Sequence, residues 1–183
     1  MKAIEDIIRL VCGYLNRNKI DYVVVGGAVI PLYGAPRTTV DVDIILSIRT
    51  TDIPSLIAFL KKNGFFASEG DLKTALEEKS HCTIESRDAL HRLDVKGVYS
   101  EFDEATLKRR RKIDFAGTLV YVASPEDLII SKLRFGSDRD INDAVSILVR
   151  QKNKLDWEYL ETESKLMGVH RDLERLKKKA AGT

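Results

Sequence analysis

One stretch constrains this chain more than any other: VVVGGAVIPLYGAPRTTVDVDIIL, residues 23–46. Tyr22 to Val25 is a short β-rich run halted by Gly26-Gly27, which predicts a buried strand ending in a tight turn. Ala28 to Tyr33 suits a brief helix closed by Gly34 and Pro36. Thr38 to Ile48 alternates and is rich in Val and Ile, so a second strand is expected there. Side chains two apart on a strand share a face. Arg37, Thr39, Asp41 and Asp43 therefore fall on one face, with Thr38, Val40, Val42 and Ile44 on the other. Two carboxylates one pleat apart repel unless a cation or donor sits between them. A divalent metal resolves that conflict, and Mg²⁺ combines one or two carboxylates with substrate phosphates. A glycine pair closing a strand, followed by a short helix, lets backbone N–H groups approach a phosphate. The turn has neither G-x-G-x-x-G nor the Lys-Ser/Thr of a phosphate loop, which excludes both dinucleotide-binding and P-loop readings.

The remaining chain reads as an α/β core followed by helices. Apolar residues at Ile4, Ile7, Ile8, Val11 and Leu15 have helical spacing, so an amphipathic helix opens it. Thr51 to Asn63 and Asp71 to Lys79 read as helices, and Gly64 as a stop. His81 to Glu85 and Leu90 to Val98 read as two strands around a turn at 86–89. Phe102 to Arg110 suits a short helix and Thr118 to Val122 a strand. Ser124-Pro125-Glu126-Asp127 has cap, Pro and acid in the order that starts a helix, and Ser137-Asp138-Arg139-Asp140 repeats that logic. The expected organisation is an α/β core over 1–123 and a helical segment over 124–183 packed on it. Such a chain, 44% hydrophobic and 32% charged, has the composition of a folded globular protein.

GGAVIPLYGAPRTTVDVD resembles motif I of the DNA polymerase β-type nucleotidyltransferase superfamily: a Gly-Gly turn, a short helix, then a strand bearing Asp-x-Asp. That superfamily carries a third acid in an apolar-Asp-apolar strand, and RLDVK, with Asp94 between Arg92 and Lys96 on its face, resembles it. SPEDLIISKL with RDINDAVSIL is similar to the C-terminal signature of AbiEii-type toxin nucleotidyltransferases, whose site residues match Glu126, Lys132, Arg139, Asp140 and Asp143. The resemblance implies an α/β (α+β) nucleotidyltransferase fold, a small mixed sheet with flanking helices. It implies two Mg²⁺ ions and a nucleoside triphosphate (NTP) such as ATP, with Asp41, Asp43 and Asp94 as catalytic and metal-holding residues. Gly26 and Gly27 would cradle phosphates, and Arg37, Thr39, Lys132 and Asp140 would complete the nucleotide site. In the toxin relatives the acceptor is a tRNA 3′ end or a protein hydroxyl, within a toxin–antitoxin pair.

Charge bears on the acceptor. Residues 1–104 hold 13 cations and 16 acids, and residues 105–183 hold 17 and 12, so a total of +2 conceals a basic second part. Lys108 to Lys112, five consecutive cations, reads either as a solvated face or as a hold on an RNA backbone, and it tilts the expectation toward RNA. Two further readings stay open. One is a small-molecule nucleotidyltransferase, because aminoglycoside and lincosamide enzymes resemble the same stretch. The other is a non-catalytic antitoxin-type binder. His81, His91 and His170 lack metal-ligand spacing, and Cys12 and Cys82 read as buried free thiols. No apolar run approaches the roughly 20 residues a membrane span needs. The acidic opening MKAIEDIIRL is unlike a signal peptide, so a cytoplasmic setting without a membrane is expected.

Overall fold

The structure, a computed structural model, describes residues 4–87 and 90–181. The chain separates into two compact units: Met1–Ala28 with Thr38–Val122, and Val29–Arg37 with Ala123–Thr183.

The first unit is built on a mixed sheet. Helix α1 (Ile4–Arg17) turns Ile7, Ile8, Val11, Cys12 and Leu15 inward, as their spacing requires. It leads into β1 (Asp21–Val25), whose central three residues are buried, and then a 3₁₀ turn over Gly26–Ala28. Strand β2 (Asp41–Ser47) starts three residues later than the alternation predicts. The Thr39 hydroxyl accepts the Asp41 N–H at 3.3 Å, and before Asp41 only the Val40 carbonyl meets the neighbouring strand, accepting the Arg92 N–H at 3.0 Å. Of the four residues assigned to one strand face, only Asp41 and Asp43 lie on it. Arg37 belongs to the other unit.

Helix α3 (Ile53–Lys62) precedes the two-residue strand β3 (Phe65–Phe66), which the sequence reading did not foresee. Helix α4 (Glu69–Glu77), β4 (His81–Ser86), β5 (Arg92–Lys96) and α5 (Glu101–Arg109) follow. Of the turn expected at 86–89, residues 88 and 89 lie outside the described residues. Strand β6 (Arg111–Phe115) was also unforeseen, because its cations mask the alternation. It forms a hairpin with β7 (Thr118–Val122) across Ala116 and Gly117, both at positive φ as a two-residue primed turn demands. The sheet order is β3-β4-β5-β2-β1-β7-β6. Pairs β2/β5 and β1/β7 are parallel and the others antiparallel. Burial along β2 alternates at Asp41–Ile44 and becomes continuous at Ile44–Leu46. The start of β2 therefore has one open face, and its middle is covered on both.

The second unit is helical: α2 (Ile30–Tyr33), α6 (Pro125–Phe135), α7 (Asp138–Gln151), α8 (Trp157–Leu166) and α9 (His170–Ala181). Ser124 and Ser137 cap α6 and α7 as expected, each accepting a backbone N–H three residues on. The short α2 is held by α7. Arg150 donates to Gly34 O (2.9 Å), Gln151 to Tyr33 O (3.0 Å), and the Ala35 N–H to Ser146 Oγ (3.1 Å). A Cβ on Gly34 would meet Ile147 Cγ1 at 3.2 Å, so glycine permits this approach. Among the described residues no helix is long and apolar enough to cross a membrane.

Both cysteines are free and buried. Burial pushes the Cys12 thiol up to about 12, against a smaller opposing bond with Tyr22, and burial raises Cys82 as well. Thiolate is the reactive form. Iodoacetamide at about pH 8 should leave both unlabelled in the native protein and alkylate both in denaturant, as read by mass spectrometry.

Candidate active site

Register places the acids together. β2 and β5 run parallel with Asp41 opposite Arg92 and Asp43 opposite Asp94. β5 and β4 run antiparallel, setting Glu85 opposite Arg92 and Thr83 opposite Asp94. Residues directly opposite in a ladder share a face. One face of the sheet thus carries the row Asp41–Arg92–Glu85 and, one pleat on, the row Asp43–Asp94–Thr83. On the other side of Asp43 stands Val25, the last residue of β1, and the chain leaves β1 at Gly26. Gly26 has φ +68°, and a Cβ there would lie 2.8 Å from Asp43 Cγ. Positive φ and close approach both require glycine at this point. Gly27 is buried in the 3₁₀ turn.

The hydrogen bonds divide the cations among the acids. Arg92 Nε donates to Asp41 Oδ1 at 2.9 Å, and that bond raises the guanidinium above its ordinary value. The pair is largely solvated, so it contributes little to stability. Lys96 closes instead on Asp103, 2.8 Å away, whose buried carboxylate also accepts the Tyr99 N–H at 3.0 Å. Asp94 accepts a 2.5 Å bond from the Thr83 hydroxyl, a partner with no warning in the sequence beyond its place on a strand. Three part-exposed carboxylates on neighbouring strands are hard oxygen donors, and their chemistry fits Mg²⁺.

The helical unit assembles a second polar cluster. Arg37 Nη1 donates to Asp143 Oδ2 at 2.5 Å. Lys132 Nζ lies 2.7 Å from Asp140 Oδ1 and 3.1 Å from Asp143 Oδ2. Ser137 donates to the other Asp140 oxygen at 2.5 Å. Burial pushes the Asp140 carboxyl up, but the bonds from Lys132 and Ser137 outweigh it and hold it below the usual carboxylate range. Arg37, Lys132, Asp140 and Asp143 thus come together, two cations against two acids. Glu126 is fully buried and accepts the Asp156 N–H at 2.8 Å, which ties α6 to the start of α8. The helices also bring Glu161, His170 and Glu174 within 4.8 Å of one another, a metal-like group the sequence spacing did not reveal. Lys177 already pairs with both glutamates there.

Two other features lie away from the acids. The cations at 108–112 end α5 and begin β6, the sheet's far edge, separated from β2 by β1 and β7. Arg110 bonds Asp21 at 2.6 Å and covers the Tyr121 ring, and Lys108 pairs with Glu104. A cleft of about 380 Å³ opens between Leu46–Ile48, α4 and Gly97–Tyr99. It sits beyond the covered end of β2, roughly 13 Å along the strand from Asp43 at about 3.3 Å per residue.

A family model described as a nucleotidyltransferase of unknown function (DUF6036) matches residues 1–177. Among solved structures, the chain is similar to an antigenic nucleotidyltransferase-like protein from Paracoccidioides brasiliensis, with 21% identity and a TM-score of 0.57 over 95% of this chain and 91% of that one. It is also similar to the antibiotic-resistance factor ANT(2″)-Ia. The solution structure is 16% identical with a TM-score of 0.60, covering 93% of this chain and 95% of that one. The crystal structure with adenylyl-2″-tobramycin is 15% identical with a TM-score of 0.58, covering 93% and 98%. These likenesses establish the fold. No curated protein matches the chain.

Gly26→Ala should cost more stability than Gly64→Ala. Gly64 also has positive φ, but nothing lies within 4 Å of a Cβ there. Gly64→Ala should lose about 1–2 kcal/mol for the backbone alone, and Gly26→Ala that plus the clash with Asp43, by urea denaturation. Asp140→Asn should destabilise by about 1–2 kcal/mol near pH 6. A carboxyl depressed on folding contributes stability above its unfolded value, near 3.8, and loses it as pH falls through the folded value. The gap between wild type and Asp140→Asn should therefore narrow below about pH 4.

Proposed function

The chain belongs to a family of nucleotidyltransferases of unknown function, and on that premise we propose that it transfers a nucleoside monophosphate from an NTP to the hydroxyl of a small molecule. The observation that carries this reading is the row Gly26–Asp43–Asp94: a backbone with no Cβ beside two carboxylates paired in register on an open sheet face. Asp41 and Asp43 would hold divalent metal, with Asp94 completing the set. Metal, when bound, neutralises charge on the triphosphate and on the attacking and leaving oxygens. The bare Gly26-Gly27 backbone leaves room for phosphate oxygens beside Asp43. Asp94 accepts the proton of the acceptor hydroxyl, whose oxygen bonds to the α-phosphorus while the α–β bridging bond breaks and pyrophosphate leaves. Thr39 fixes the start of β2, and through it Asp41.

The acceptor follows from where the cations are. An RNA strand needs several Lys or Arg to neutralise its phosphates. On the acid face Arg92 and Lys96 are engaged by Asp41 and Asp103, and the 108–112 run lies at the β6 edge of the sheet, beyond β1 and β7. That arrangement favours a small hydroxylated acceptor over an RNA end. The adenylylated tobramycin held by ANT(2″)-Ia, a protein of similar fold, is of that class. A cytoplasmic setting, which supplies NTP and Mg²⁺, accords with the reading.

The test is incubation with each α-³²P NTP, Mg²⁺ and cell extract separated into RNA, protein and low-mass fractions. Label in the low-mass fraction is expected, and it should vanish with EDTA. Label in RNA or protein overturns the acceptor assignment, and label nowhere overturns the activity. Asp43→Asn should reduce transfer by about 100-fold or more while the protein stays folded by circular dichroism.

A further inference from the structure

We propose that Thr83 is a positioning residue that holds the Asp94 carboxylate in its working orientation, an assignment that rests on the function proposed above. Strand β4 alternates between exposed and buried residues, and Thr83 lies on its exposed face directly opposite Asp94. The Thr83 hydroxyl donates to Asp94 Oδ1 at 2.5 Å. A carboxylate only accepts, so the direction of this bond is fixed.

Asp94 needs such a partner. Its terminal torsion is broad and nearly two-fold, so packing alone does not choose an orientation. Asp43 stands beside it in register and repels it when both are charged. Of the two cations flanking Asp94 on its own strand, Lys96 bonds Asp103, and Arg92 bonds Asp41 and reaches Asp94 only by longer-range attraction. Thr83 is the group that meets the repulsion with a direct hydrogen bond to Asp94. Being β-branched, it has few rotamers, so its oxygen stays where the strand places it. With Oδ1 occupied, Oδ2 remains for a metal or for the acceptor proton. Thr83 itself touches neither. The row then reads from Gly26 through Asp43 and Asp94 to Thr83, with backbone room at one end and an anchoring hydroxyl at the other.

The test compares wild type, Thr83→Val and Thr83→Ser. Valine keeps the shape and removes the donor, and serine restores the donor without the methyl group. Mn²⁺ binding to the protein alone, followed by electron paramagnetic resonance, should weaken on the order of 10-fold in Thr83→Val and recover in Thr83→Ser. In transfer assays kcat should fall on the order of 10-fold while KM for the NTP stays within about twofold, again with recovery by serine. Wild-type Mn²⁺ affinity in Thr83→Val overturns the assignment, and so does a loss that serine fails to recover. A lowered melting temperature shared by both variants would mark a merely structural role and overturn it too. Because Mn²⁺ binding needs no substrate, failure of the proposed transfer reaction and failure of the Thr83 assignment register separately.

Discussion

The approach of the Gly26 backbone to the Asp43 carboxylate is the constraint on which the acid face depends. β1 and β2 pair antiparallel with Val25 opposite Asp43, so whatever follows Val25 must pass beside that carboxylate. With any side chain at 26, either the turn or Asp43 would move, and Asp43 is also the residue aligned with Asp94 across the parallel β2–β5 pairing. A one-residue slip in that pairing would send Asp94 to the buried face, because side chains alternate along a strand. Val42, Ile44, Leu93 and Val95 hold the register, since all are buried on the opposite face. The apolar half of each strand thus fixes where the polar half points.

The two units handle charge differently. In the helical unit, cations and acids compensate one another at short range: Arg37 and Lys132 with Asp140 and Asp143, and Lys177 with Glu161 and Glu174. Those carboxylates are satisfied by the chain's own groups. On the sheet, Asp41 takes an exposed arginine and Asp94 a neutral hydroxyl. Unlike a self-paired cluster, such an arrangement leaves negative charge for a cation from solution to neutralise. That difference favours the proposed metal site on the sheet over Glu161, His170 and Glu174, the tighter group.

The basic run shows why a linear charge count misleads. Five consecutive cations look like a single patch. In the fold they span the end of a helix and an edge strand, and Arg110 lies against Tyr121 with Asp21 on its guanidinium. Lys and Arg on an edge strand also discourage pairing with another chain, a role that requires no nucleic acid. The segregated charge of the sequence is real, but within the first unit its basic run lies at the sheet's β6 edge, with β1 and β7 between it and the acids.

Local chemistry made much of the molecule legible from its residues. The opening helix, β1, the Gly-Gly turn, the serine caps of α6 and α7, and the acid-bearing strands follow from periodicity and from the few residues that tolerate a turn or a cap. β3 escaped notice because two residues carry no period, and β6 because its cations hid the alternation. The start of β2 was misjudged because Thr38 to Val40 alternate like a strand, yet Thr39 bonds the backbone of Asp41 instead. Partner choice was not legible at all. Whether Arg92 meets Asp41 or Asp94, whether Lys96 meets Asp103, and whether Thr83 reaches Asp94 depend on which strands lie side by side. By itself, then, the sequence determined which segments could be strands or helices and which acids could share a face, because those are properties of neighbours along the chain. Only the tertiary structure decided which acid each cation or hydroxyl serves, because strand order and register bring together residues that are remote in sequence.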